Sequence, residues 1–211
     1  QDIEIIVDYA HTPDALTNAI KTARSMTGGR LISLIGAGGD RDKTKRPLMG
    51  MVASQGSDSL VVTSDNPRSE VPLEIINDIL EGIPQERLQS TWVEADRSLA
   101  IRLAISLARK GDSVLIAGKG HENYQEISGV RADFDDRLEA CRWIEAAEVN
   151  GQQLVWTASQ IQAIVGGEVH GESVEPVTSI TTDSRKAGRG SLFVGLPGLR
   201  FDGADFAPQA F

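Results

Sequence analysis

Cysteine is nearly missing from this chain: Cys141 is the single one in 211 residues. An internal disulfide framework and a cysteine-built zinc site are therefore excluded, and the usage suits a reducing, cytoplasmic setting. Aromatic residues make up only 5%, and 21 Lys and Arg are outnumbered by 30 Asp and Glu. The formal charge of −9, with a pI near 4.9, argues against a nucleic-acid partner held by counterion release and against an anionic membrane surface. No apolar run approaches the roughly 18 residues of a membrane span, and no charged-then-apolar leader precedes the first strand-like segment. There is no Gly-x-x-x-x-Gly-Lys-Ser/Thr motif, hence no P-loop to cradle a triphosphate and hold its Mg²⁺. The chain opens without an initiator Met, which reads as a start inside a longer protein. What is present, 40% hydrophobic and 24% charged, is a globular balance sufficient for one large domain or two small ones. A small-molecule enzyme or an interaction module remains.

Charge and pattern divide the chain. Residues 1–148 carry a net −7 and residues 149–211 a net −2. Between the two parts lies the polar stretch Val149-Asn150-Gly151-Gln152-Gln153, read as a short linker over 149–153. In the first part, short apolar runs alternate with amphipathic segments. Strands are expected at 3–8, 30–35, 59–63, around Trp92 and at 113–117; helices from Thr12-Pro13 until Gly28-Gly29 ends the first, then at 47–54, 72–80 and 96–110. The fourth helix is expected to bury Leu99, Leu103 and Leu107. Tyr124–Ile127, Ser128-Gly129 and Val130–Phe134 read as a hairpin, and a closing helix from Asp135 presents Leu138, Cys141 and Ile144. This predicts a doubly wound α/β domain with a mostly parallel sheet covered on both faces.

In such sheets ligands sit outside the carboxyl ends of the strands. The loops expected there are 8–12, 36–43, 64–70 and 118–122, and they hold most of the unusual polar chemistry of the chain. Each taken singly has a plain structural reading. His11 is a polar residue beside a helix cap, and Gly36-Ala37-Gly38-Gly39 is a common turn after a strand. Asp65-Asn66-Pro67-Arg68 is accounted for as a turn, and Gly118–Glu122 as the entry to a hairpin. Nor is the glycine loop a dinucleotide fingerprint, because Arg41 stands where the last glycine belongs. Four such loops on one sheet edge are less easily explained separately.

The motifs Asp8-Tyr9-Ala10-His11-Thr12-Pro13-Asp14-Ala15-Leu16, Gly38-Gly39-Asp40-Arg41-Asp42-Lys43, Asp65-Asn66-Pro67-Arg68 and Gly118-Lys119-Gly120-His121-Glu122 occur in one order. In that order residues 1–148 resemble the C-terminal, amino-acid-binding domain of the Mur ligase family, in its diaminopimelate-adding branch. The resemblance implies a peptidoglycan-precursor ligase that uses ATP and Mg²⁺ to activate a carboxylate as an acyl phosphate for attack by an incoming amine. It implies meso-diaminopimelate as a partner, with Arg68 on its distal carboxylate, Asp65 and Asn66 beside it, Glu122 and Gly118 on its ammonium and carboxylate, and Arg41 on another carboxylate. It also implies that Asp8 meets a nucleotide ribose and that His11 lies near the same edge. Lysine-adding relatives lack the arginine at the Arg68 position.

Thr182-Asp183-Ser184-Arg185, Gly190–Val194 and Phe201–Phe206 resemble the N-terminal UDP-binding domain of the same family, and Trp156 with 200–206 is most similar to its D-alanyl-D-alanine-adding branch. Ala204 departs from the histidine usual there. The resemblance implies UDP-MurNAc-peptide as a partner, with Thr182 and Ser184 as uridine contacts; His170 reads as a surface turn residue. The expectation is a junction, 154–211 being a small, incomplete α/β domain, within a natural fusion of two successive ligases. Such a chain has no catalytic or metal residue of its own, needs the rest of its parent chain, and should not turn over alone. A non-catalytic interdomain or interaction module is the alternative.

Overall fold

The computed structural model describes residues 3–149, 177, 179–181, 185 and 191–193, with side chains described up to residue 146 and at 177, 185 and 192. Contacts between Cα atoms divide the chain into two units, Gln1–Val149 and Asn150–Phe211.

The first unit alternates β1 (Glu4–Asp8), α1 (Pro13–Met26), β2 (Leu31–Ile35), α2 (Lys45–Gly56), β3 (Ser59–Val62), α3 (Pro72–Leu80), β4 (Thr91–Val93), α4 (Arg97–Leu107) and β5 (Ser113–Ala117). A hairpin of β6 (Tyr124–Ile127) and β7 (Val130–Asp133) and the closing helix α5 (Asp136–Val149) follow. Local chemistry sets several of these boundaries. Thr12 Oγ1 accepts from Ala15 N at 3.3 Å and Pro13 opens α1; Asp96 Oδ1 accepts from Leu99 N at 3.0 Å and caps α4. Ser128 and Gly129, at φ 51° and 76°, give the hairpin a two-residue turn of the primed kind that matches strand twist. Helix α2 starts at Lys45, two residues before the expected Pro47. A proline fits there because first-turn N–H groups have no intrahelical partner to lose.

The five strands are all parallel, in the order β1-β5-β2-β3-β4. From β1 to β4 the chain moves one way across the sheet. It then returns through α4 to insert β5 between β1 and β2. Right-handed crossovers place α1 to α3 on one face and α4 on the other. Accordingly Leu16, Ile20 and Ala23 of α1, Met49 and Ala53 of α2, and Ile75, Ile76 and Ile79 of α3 share one core with Leu31, Ile35, Leu60, Val62 and Leu115. Ile32, Leu34, Val61, Val114 and Ile116, of the alternate parity, are buried outside that cluster. The doubly wound arrangement is thus present, and its direction reverses at β5, where crevices form.

Two helix faces differ from expectation. In α4 the buried residues are Arg97, Ala100, Ile101, Arg102, Ala104 and Ile105, while Leu99, Leu103 and Leu107 are half-buried. Alanines let the helix approach the strands closely, and a buried ion pair at Arg97 selects the face. In α5 that pair's partner, Asp136, and Ala140 are buried, whereas Leu138 and Cys141 are exposed. Val149, placed with the linker from sequence, is the last residue of α5. In the second unit β8 (Ser179–Thr181) pairs in parallel with β9 (Ser191–Phe193). Thr182, Ser184, His170 and residues 150–153 lie outside the described residues.

Candidate functional site

A cleft of about 500 Å³ opens at the carboxyl edge of the sheet. Its walls come from all four loops: Tyr9, His11 and Thr12 after β1, Gly38 and Arg41 after β2, Asp65, Asn66 and Arg68 after β3, Gly118 and Glu122 after β5. Every residue expected to meet an amino acid is therefore on one wall or another, and so is His11. Asp8 is not among the lining residues; its Oδ1 accepts from Ala10 N at 2.8 Å and shapes the β1–α1 loop.

The loops after β2 and β3 are stitched into one body. Gly39 N donates to the Asn66 carbonyl at 2.9 Å, and Ser69 Oγ to Asp40 Oδ1 at 2.6 Å. A Cβ on Gly39 would stand 1.9 Å from the Pro67 carbonyl, so this approach requires glycine. Beneath the loops Arg46, 1% exposed, donates to both Glu70 oxygens at 2.8 and 3.0 Å, to Asp78 at 2.8 Å and to the Gly38 carbonyl at 3.2 Å. Lys43 adds an ion pair to Glu70 at 2.9 Å. Hydrogen bonds from Arg46 and Lys43 hold the Glu70 carboxyl far below the usual carboxylate range.

Arg68 has φ 53°, a left-handed backbone that a residue other than glycine rarely adopts. The hairpin holds it: Arg68 N donates to Glu126 O at 3.0 Å, and Ser128 N to Arg68 O at 2.6 Å. Its Nη1 donates to the Gly39 carbonyl at 2.7 Å and reaches the Asn66 carbonyl at 3.5 Å. The Nε and Nη2 edge, the fork that grips a carboxylate in two bonds, has no partner among the described residues.

On the β5 side Gly118 has φ 120°, and a Cβ there would meet Asp65 Oδ2 at 2.5 Å. Glycine alone lets that carboxylate sit against the strand end. Asn66, 1% exposed, donates from Nδ2 to Glu122 Oε2 at 2.9 Å. Tyr9 O–H reaches Glu122 Oε1 at 3.5 Å, and the Glu122 charge pushes its phenol up. His11 Nδ1 lies 2.8 Å from the Tyr9 carbonyl, and its ring packs edge-on to Tyr9 at 4.7 Å.

Sequence reasoning missed the groups that organise this edge from below. Lys119 is fully buried, with Nζ 3.1 Å from Asn66 Oδ1 and 3.6 Å from Glu122 Oε2. Burial pushes its ammonium below the ordinary lysine value against the pull of Asp65 and Glu122. Arg97, also buried, grips Asp136 at 2.7 and 2.8 Å and donates to the carbonyls of Ser64 and Ala117 at 3.0 and 3.1 Å. It thereby ties the ends of β3 and β5 together under the cleft. Lys119 lies inside a loop already conspicuous in sequence, and Arg46 in the Lys45-Arg46-Pro47 continuation of the Gly38–Lys43 motif, but nothing local marks Arg97.

One concave edge thus offers carboxylates, among them Asp65 and Glu122, and guanidiniums, among them Arg41 and Arg68, set by a rigid sheet. It can hold a small ligand bearing both an ammonium and carboxylates. Among the described residues no group of three or more His, Cys, Asp or Glu is placed to hold a metal ion, and no helix is long and apolar enough to cross a membrane.

Known proteins with this arrangement are informative. Residues 1–120 match the family described as Mur ligase, glutamate ligase domain, and residues 176–211 match the Mur ligase family, catalytic domain. The chain is 55% identical over 140 residues to UDP-N-acetylmuramoyl-L-alanyl-D-glutamate–2,6-diaminopimelate ligase of Synechocystis sp., covering 66% of this chain and 27% of that protein. It is also 55% identical over 132 residues to the ligase of the same name from Aquifex aeolicus, covering 63% and 27%. A solved structure of a ligase of that name superposes with TM-score 0.66 at 45% identity, covering 70% of this chain and 30% of that one. The chain therefore spans little more than a quarter of the length of the curated relatives it matches.

Proposed function

This chain belongs to the Mur ligase family through its glutamate ligase domain, and from that premise we propose that its first unit receives meso-diaminopimelate for ATP-dependent addition to UDP-MurNAc-L-Ala-D-Glu. The observation that carries this reading is the pairing of Asp65 and Glu122 with Arg41 and Arg68 around one cleft. Diaminopimelate has an ammonium and a carboxylate at each end, so it needs both signs at both ends. The open Nε and Nη2 edge of Arg68 suits the distal carboxylate in a bidentate grip, a group that lysine lacks. Glu122 and Asp65 suit an ammonium, and Arg41 a second carboxylate.

ATP supplies the energy of activation in such ligases, and the fit of this chain to it is poor. No P-loop occurs in the sequence, and no cluster among the described residues suits Mg²⁺. Asp8 and His11 offer at most one edge of a nucleotide. The work of these residues is to bind and orient the amine, and the chain by itself should release no phosphate from ATP.

The 176–211 match supports reading the second unit as the start of another Mur ligase. On this reading Thr182 and Ser184 meet UDP-MurNAc-peptide, and the parent adds D-alanyl-D-alanine next, as a cytoplasmic fusion enzyme. Calorimetry with meso-diaminopimelate, L-lysine and UDP-MurNAc-tripeptide tests both units. Binding of diaminopimelate well ahead of lysine is the expected result for the first. Equal or absent binding of the two amino acids overturns it.

A further inference from the structure

We propose that Lys119 is a positioning residue that makes the cleft selective for an ammonium group, acting through Asn66 and Glu122 without touching the ligand. The proposal rests on the reading of the cleft as a diaminopimelate site and deepens it.

Asn66 lies at the centre. Its Oδ1 accepts from Lys119 Nζ at 3.1 Å and from Glu126 N at 2.9 Å. An ammonium and a backbone N–H can only donate, so both demand oxygen at that position. The amide is thereby locked with Nδ2 turned to Glu122 Oε2, 2.9 Å away. Lys119 Nζ also lies 3.6 Å from that same oxygen. One hydrogen bond and one nearby charge therefore hold Oε2, and Oε1 remains on the Tyr9 side of the cleft.

Charge points the same way. Asp65, Glu122 and Asp136 all act on both Lys119 and Arg97, so three carboxylates surround two buried cations. Asp136 is satisfied by its two bonds to Arg97. That leaves Asp65 and Glu122, both on the cleft wall, as the carboxylates toward which a ligand ammonium would be drawn, with Arg41 and Arg68 on the same walls for its carboxylates. The Lys119 ammonium lies over the Tyr124 ring at 5.4 Å and is fully buried, so it is not itself presented to a ligand. Without it, the Glu126 N–H alone holds the Asn66 oxygen and Glu122 Oε2 loses its neighbouring ammonium, so amide and carboxylate are both held less firmly in place.

The test compares meso-diaminopimelate with pimelate, the same seven-carbon dicarboxylate without ammonium groups, on the full chain. Lys119→Met should weaken diaminopimelate binding about 10–100-fold while changing pimelate binding less than about 3-fold, collapsing the discrimination between them. Lys119→Gln keeps a donor to Asn66 without the charge and should retain part of the discrimination; it also serves if the Met variant does not fold. In Asn66→Ala, adding Lys119→Met should change the ratio much less than in the wild type. The Asn66 side-chain amide protons should exchange with solvent faster in Lys119→Met than in the wild type. Equal weakening of both ligands, or a wild-type ratio in a folded Lys119 variant, overturns the role of Lys119 while leaving the cleft assignment intact. Failure of the wild type to prefer diaminopimelate over pimelate overturns the cleft reading and the proposal with it.

Discussion

Replacing Arg97 by Met should strongly destabilise the first unit. Arg97 has no exposed side-chain surface, and neither does Asp136, its partner at 2.7 Å. The guanidinium also satisfies the carbonyls of Ser64 and Ala117, which end β3 and β5. Methionine fills similar volume but leaves one buried carboxylate without a counterion and two carbonyls without a donor. Breaking a buried pair from one side costs about 3–5 kcal/mol, because the remaining charge keeps its desolvation penalty without its partner. A domain of this size has about 5–15 kcal/mol in total. The assay is urea unfolding at neutral pH, resolved by amide exchange in β3 and β5, where the midpoint should fall with little change in slope. The double variant Arg97→Met, Asp136→Leu should recover the part of the loss due to the unpaired carboxylate, since apolar residues can replace a buried ion pair at little cost, but not the part due to the two carbonyls. A single-variant loss below about 1 kcal/mol, or no recovery in the double variant, would refute the reasoning.

Other outcomes follow from the same geometry. Gly118→Ala combines a φ of 120° with a 2.5 Å approach to Asp65, so calorimetry should show at least about 10-fold weaker diaminopimelate binding, with about 1–3 kcal/mol lost in thermal unfolding. Arg68→Ala should lower affinity for diaminopimelate about 10–100-fold and for lysine by less than about 3-fold; parallel losses would count against Arg68 reading the distal carboxylate. Glu70 is an acid held far below its ordinary value of 4.5, so its contribution is complete above that value and fades as pH falls through the depressed one. Carboxyl NMR should find Glu70 still ionised well below pH 4.5, and Glu70→Gln should remove about 1–3 kcal/mol at neutral pH with a shallower acid limb in its unfolding profile. A Glu70 midpoint near 4.5 would show that the clasp of Arg46 and Lys43 is absent in solution. Asp135, pulled to about 2 by Arg137, should titrate later than an ordinary aspartate in the same spectra.

The parts of this molecule legible in its sequence are those written in neighbouring residues. Thr12-Pro13 marks a helix start, Ser128-Gly129 a hairpin turn, and the apolar runs at 31–35, 59–62 and 113–117 are strands buried on both faces. From these alone came the parallel sheet and the four loops at its carboxyl edge; the individual residues named on those loops came from the family resemblance. Asp8 was legible as a motif position, and folding adds that its carboxylate also shapes its own loop.

Tertiary structure decided which side chains hold the cleft in shape, and those pairings join residues far apart. Arg97 reaches Asp136 across 39 positions, Lys119 reaches Asn66 across 53, and Arg46 reaches Glu70 across 24. A charged residue within a helix ordinarily reads as solvated, because the cost of burying it is visible and the compensating partner is not. That is why Leu99, Leu103 and Leu107 were the expected face of α4 while Arg97 became its most consequential residue. The place of β5 between β1 and β2 was equally hidden, since it depends on strand pairing across the sheet and on crossover handedness. The sequence by itself determined the elements, their parallel packing and the chemistry gathered at one edge. Only folding decided how those charges balance, because desolvation and pairing act through space, between residues that the chain keeps far apart.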